Sequence, residues 1–185
     1  ASISGDCGFE YCLAPCFLSA LRVLRGFGGD PGKFLDAFVK KPSPASEEFE
    51  TLNAVAMSAC YSPNPSSPWG FDLPFDLETG ERIQSVWQRW LEFDPLFACE
   101  RHLSGLERLE LLHLECGLQD EFNIQWGTRQ LSRKLAALGV PHVHEEHEAG
   151  HRNIDHRYLA LFPELIRALS APSAPGMSSG SSRRS

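Results

Sequence analysis

The chain has 185 residues, enough for one domain with its own core and too few for two comfortable ones. Hydrophobic residues make up 42% and charged residues 22%, which excludes a chain that is disordered throughout. A formal net charge of −7 argues against nucleic acid or an anionic membrane surface as the partner. No apolar run approaches the roughly 20 residues of a membrane helix, so no membrane association is expected.

The opening residues, Ala1-Ser2-Ile3-Ser4-Gly5-Asp6, read as the end of a buried strand running into a Gly-Asp turn. They carry no initiator methionine, basic n-region or apolar h-region, so they are not a signal peptide. A chain that opens inside a core element is expected to be truncated, with any targeting signal in the missing part. Six cysteines stand at 7, 12, 16, 60, 99 and 116, at spacings that match no zinc framework. They read as small buried hydrophobes or free thiols and leave the compartment open, with the cytoplasm as default.

Residues Cys16 to Phe27 are helical in pattern: Phe17, Leu21 and Leu24 share a face, and Gly28-Gly29 stops the run. Asp30-Pro31 opens a short helix with an apolar stripe of Phe34, Leu35, Phe38 and Val39. After the linker Lys40 to Pro44, Ser46 is placed as a helix N-cap with Glu47 and Glu48 in the first turn. That helix is expected to bury Phe49, Leu52, Ala56 and Ala59. Tyr61 to Pro74 is a long loop bearing Trp69 and Phe71, and Ile83, Val86, Trp87 and Trp90 mark a further amphipathic helix. Residues 7–100 therefore form a helical and loop, cap-like insertion. The loop and the two tryptophans are expected to roof a site and shape its pocket.

The pattern changes at Leu109. Leu109 to Cys116 is a short apolar strand ending at Gly117, Ile124 to Ala137 is a helix, and Val140 to Glu146 alternates like a second strand. A last helix spans Tyr158 to Leu169, interrupted or restarted at Pro163. Strand, helix, strand, helix predicts an α/β fold with a parallel sheet and crossover helices over residues 1–169. Residues 170–185 read as a disordered tail.

In such sheets the working residues leave the carboxyl ends of the strands. Asp120 follows the first strand and His151, after Gly150, follows the second. A strand-end carboxylate, then a strand-end histidine one crossover later, suits the acid and base of a hydrolase triad. Each has a plainer reading alone: Asp120 as a helix N-cap, His151 as an exposed turn residue. If the pair is a triad half, a carboxylate oxygen should lie within about 3.5 Å of a ring nitrogen.

The same histidine ends a competing motif. His147-Glu148-Ala149-Gly150-His151 matches H-E-x-x-H, which works as a zinc-peptidase signature only on a helix. Strand-like flanks and Gly150 argue against that, so His147 and His151 are not expected to converge on one ion. His142, His144 and His147 read as a solvated strand edge, His113 as a satisfied core histidine, and His156 as a second candidate base nearer the last helix.

Together, Leu114-Glu115-Cys116-Gly117 with Asp120-Glu121-Phe122, then Gly139-Val140-Pro141-His142, then Gly150-His151 with Arg157-Tyr158 resemble bacterial putative esterases. These are the esterase D-like and enterochelin esterase-like branch of the α/β-hydrolase superfamily. Ile3-Ser4-Gly5-Asp6 with Phe9-Glu10-Tyr11 resembles the strand and turn after the nucleophile helix of that group. The resemblance covers about residues 1–169, the C-terminal portion of the fold, and implies Asp120 as triad acid and His151 as base. It implies a serine carboxylic-ester hydrolase acting on a small-molecule ester without metal or organic cofactor. No G-x-S-x-G pentapeptide occurs, and Ser4 is not assigned as nucleophile, so the serine is expected upstream and this chain alone is expected to be inactive. A non-catalytic binding module on the same scaffold is the alternative. The particular ester and the oligomeric state are not readable.

Overall fold

Three parallel strands, β1 (Ser2–Ile3), β2 (His113–Gly117) and β3 (Val143–His147), form a sheet in the order β1-β2-β3. The computed structural model describes residues 1–170. Every residue of β2 is buried, as the central strand of a covered parallel sheet should be. Its alternation sends Leu114 and Cys116 to one face and His113 and Glu115 to the other. In register, Glu145 pairs with Glu115 and His147 with Gly117, so β3 adds Glu145 and His147 to the His113 face.

Nine helices are found among the described residues: α1 (Phe9–Cys12), α2 (Cys16–Arg25), α3 (Pro31–Phe38), α4 (Ser46–Tyr61), α5 (Gln84–Leu91), α6 (Pro95–Arg101), α7 (Leu103–Leu106), α8 (Ile124–Ala137) and α9 (Asp155–Ser170). About half of the described chain is helical, and the fold is mixed α/β. No helix among these residues is long and apolar enough to cross a membrane. The expected tail lies outside the described residues, except Ser170, which ends α9.

Helix α8 crosses from β2 to β3 and lays Leu131 and Leu135 against Leu114 and Val140. A larger core gathers Phe9, Phe17, Phe34, Phe71, Phe75, Trp87 and Trp90 among α1 to α5. Phe17 meets Trp87 and Trp90 edge-on at 5.6 and 5.5 Å, the geometry aromatic quadrupoles favour. The tryptophans are thus core, and the expectation that they roof a site is corrected. Their indole N–H groups are satisfied in place, Trp90 donating to Ser62 and Trp87 to Glu10.

The two regions are joined by Asp94, which is wholly buried. It caps α6 by accepting from the Leu96 N–H, with Pro95 preset at the first helical position. The same carboxylate accepts from the N–H groups of Gly8 at 2.9 Å and Phe9 at 2.7 Å. One side chain therefore satisfies orphan donors at two helix starts that are far apart in sequence.

Several boundaries and faces differ from expectation. Helix α4 is capped at Ala45, whose N–H donates to the Glu48 carboxylate while Glu48 N–H donates back to the Ala45 carbonyl. Ser46 is the first helical residue. Its buried face is Thr51, Ala54, Val55 and Ser58, whereas Phe49, Ala56 and Ala59 are exposed. The hydroxyls of Thr51 and Ser58 donate to carbonyls four residues back, which removes the penalty for burying them. Residues 109–112 precede β2 rather than belonging to it. Strand β3 starts only after Pro141, which has no N–H for the ladder. Helix α9 begins three residues earlier than expected and runs through Pro163. Leu159, whose carbonyl the proline leaves unbonded, and Pro163 are both exposed to water.

Candidate active site

The loops after β2 and β3 interlock. Leu118 N–H donates to the His147 carbonyl at 2.9 Å, and Gln119 N–H to the Ala149 carbonyl at 3.0 Å. Gly117 permits the approach, because a Cβ there would stand 2.2 Å from the Ala149 oxygen and 2.6 Å from that of Gly150. A second clasp ties the loops from the other side. The His151 N–H donates to a Glu121 carboxylate oxygen at 2.6 Å and holds that carboxyl below its ordinary range.

Within this clasp Asp120 and His151 meet. Oδ2 of Asp120 lies 3.1 Å from Nδ1 of His151, inside the distance expected of the pair. The Asp120 side chain is wholly buried and the His151 ring is one-third exposed, so the carboxylate is fixed and the imidazole faces outward. Oδ1 accepts the Phe122 N–H at 2.9 Å, and the Phe122 ring stands edge-on to the imidazole at 4.8 Å. The Cys116 thiol donates to Oδ2 at 3.6 Å. Asp120 does not cap α8, whose N-cap is Asn123 at φ 63°. Its lone pairs serve the loop and the histidine instead.

With the carboxylate on Nδ1, the hydrogen-bond pattern assigns the neutral ring its proton at Nδ1 and a free lone pair at Nε2. Among the described residues no hydrogen bond reaches Nε2. His151 lines a cavity of about 600 Å³ together with Asp6, Cys12, Cys16, Glu50 and Phe122. A second, mainly apolar cavity of about 300 Å³ lies against Leu114, Leu131 and Leu135, and Asp6 borders both. Burial raises the Asp6 carboxyl, and Asp120 and Asp94 add to the rise against the pull of His151.

Other candidate groups are disposed differently. Burial raises the Cys12 and Cys16 thiols and takes Cys116 to about 12, with the Asp120 charge adding to it. These are protonated thiols rather than nucleophiles. No disulfide forms among the described cysteines. Ser4 follows β1 at φ 48° with its hydroxyl buried beside Cys116, and it makes no hydrogen bond to His151. His156 is exposed on α9.

The H-E-x-x-H segment is a strand end and bend, not a helix. Its two imidazoles have different neighbours, Glu115 for His147 and Asp120 for His151. The solvated strand edge is corrected in part. His142 bonds Ser132 and the Val140 carbonyl, and the His147 side chain is only 9% exposed. His113 is buried with Nε2 3.1 Å from Glu115, but its Nδ1 has no hydrogen-bond partner, so it is only half satisfied.

Two of three further contributors carry little sequence signal. Glu121 and Asp6 act through long-range approach and have no local pattern. Asp94 does have one, since Asp-Pro at a helix start is a cap signature. No protein-family model matches the chain, and no curated protein matches it.

Proposed function

We propose that the chain carries the acid and base of a serine carboxylic-ester hydrolase, with the nucleophilic serine on polypeptide preceding β1. The observation that carries this reading is the Asp120–His151 pair, two loop residues leaving adjacent parallel strands and oriented by a single hydrogen bond. The strand order β1-β2-β3 with α8 as the crossover fits the closing strands of an α/β-hydrolase sheet.

In this mechanism Nε2 of His151 removes the proton from the serine hydroxyl as its oxygen attacks the ester carbonyl. The imidazolium so formed is stabilised by Asp120 and returns the proton to the departing alkoxide. Water then attacks the acyl-enzyme, again losing a proton to Nε2. The tetrahedral adduct expels the serine oxygen, which takes that proton back from the imidazolium, and the carboxylic acid leaves. The chemistry uses no metal or organic cofactor. The cavity beside His151 is the place for the small-molecule ester.

The test is the full-length gene product, treated with a fluorophosphonate probe and assayed on p-nitrophenyl acetate. A single labelled serine and hydrolysis lost in a His151→Ala variant support the reading. An unlabelled, inactive, folded protein would instead make the pair part of a binding module.

A further inference from the structure

On the sheet face opposite α8, β2 and β3 present His113, Glu115, Glu145 and His147 beneath α9. A ligand atom from each of His113, Glu115 and Glu145 lies within 4.8 Å of the other two. Nε2 of His113 is 3.1 Å from one Glu115 oxygen, and Nε2 of His147 is 3.7 Å from the other. His147 adds an independent observation. Its side chain is nine-tenths buried, yet neither ring nitrogen has a hydrogen-bond partner. Buried polar atoms are rarely left so, because each costs about 1–3 kcal/mol unpaired.

We propose that His113, Glu115 and Glu145 form a binding site for a divalent transition-metal ion of the zinc type, with His147, which stands outside their 4.8 Å group beside the other Glu115 oxygen, closing in as the fourth ligand. Two imidazole nitrogens and two carboxylate oxygens are a donor set that such an ion takes readily and that calcium or magnesium does not prefer. Charge points the same way. Glu115 and Glu145 carry two negative charges, and Arg157 supplies one positive charge by hydrogen bonding both. A dication that takes the place of Arg157 neutralises the pair completely. Arg157 is partly exposed and can swing outward, while Glu145 is half exposed and can close the sphere. Glu164, 4.0 Å from Nδ1 of His113, stands where a carboxylate commonly orients a metal-bound imidazole. The ion would pin the end of β3, four residues before His151. The site is distinct from the Asp120–His151 pair and does not depend on the esterase reading.

The experiment is calorimetric titration of zinc chloride into the 185-residue chain, followed by X-ray absorption of the loaded protein. One ion per chain is expected, with nitrogen and oxygen neighbours at about 2.0–2.1 Å and no sulfur. Glu145→Gln, at a half-exposed side chain, and His147→Gln, at a nine-tenths buried one, should each weaken affinity at least tenfold. A His142→Asn, His156→Asn double variant should bind as wild type. The proposal is overturned by absent stoichiometric binding, by a sulfur shell, or by binding that both glutamine variants keep.

Discussion

Oδ2 of Asp120 and Nδ1 of His151 are 3.1 Å apart across a separation of 31 residues. Both side chains stand on loops, so only the clasp between those loops fixes the distance. Asp120→Asn keeps the oxygen that accepts from Phe122 but removes the anion facing the imidazole. A low-field Nδ1 proton resonance is expected in the wild-type spectrum and should vanish in the variant while the amide spectrum stays folded. In the full-length protein the same change should cost about 10⁴-fold in kcat. Retention of the resonance would mean that another group holds the ring.

Gly117 sets how closely the two loops pack. Gly117→Ala places a methyl 2.2 Å from the Ala149 oxygen, which is backbone and cannot turn aside. Strain of about 1–3 kcal/mol is expected. That corresponds to a fall in Tm of roughly 3–10 °C for a domain of this size. Because the displaced segment carries His151, the low-field proton should also weaken, which a remote destabilising change would not produce.

The strand-end placement of this pair was legible in the sequence, because a short apolar run closed by glycine fixes where a loop leaves the sheet. Asp120 and His151 follow directly from that. The face of α4 was not legible. Its buried Thr51 and Ser58 look polar by residue type, and only their hydrogen bonds to helix carbonyls make them acceptable inside. Nor was the role of Trp87 and Trp90, since an amphipathic helix pattern does not say which surface it will cover. Asp94 was missed because its cap is local but its bonds to Gly8 and Phe9 are not. The polar layer of His113, Glu115 and Glu145 was hidden by the apolar reading of the strand around it.

Arg157 and Glu115 make stability depend on acid. Burial pushes the Glu115 carboxyl upward, but Arg157 and His113 outweigh it and hold it below the ordinary value. A depressed carboxyl contributes stability above its unfolded pKa of about 4.3, and loses it as pH falls through the lower folded value. Arg157→Met leaves the buried Glu115 carboxylate with His113 as its remaining partner and should cost about 2 kcal/mol at pH 7. Urea unfolding at pH 7 and pH 3 measures this. The difference between wild type and variant should shrink at the lower pH.

Asp6 has the opposite sign. Its carboxyl is raised chiefly by burial, so ionisation at neutral pH works against the folded state. For a raised group, stability is lost as pH climbs from the unfolded pKa of about 3.9 to the folded one. Asp6→Asn should therefore raise Tm at pH 7 and leave it unchanged near pH 3. A lower Tm at pH 7 would show that the Asp6 charge is stabilising.

The most direct measurement is p-nitrophenyl acetate hydrolysis by three purified proteins: the full-length gene product, its His151→Ala variant, and the 185-residue chain. The proposal expects enzyme-like turnover in the first, a loss of about 10³-fold or more in the second, and no turnover above solvent in the third. Loss in the variant with its fold intact would place His151 in the chemistry. Hydrolysis by the 185-residue chain that depends on His151 would contradict a nucleophile lying outside it. Full activity in the His151→Ala protein would contradict the acid–base pair itself.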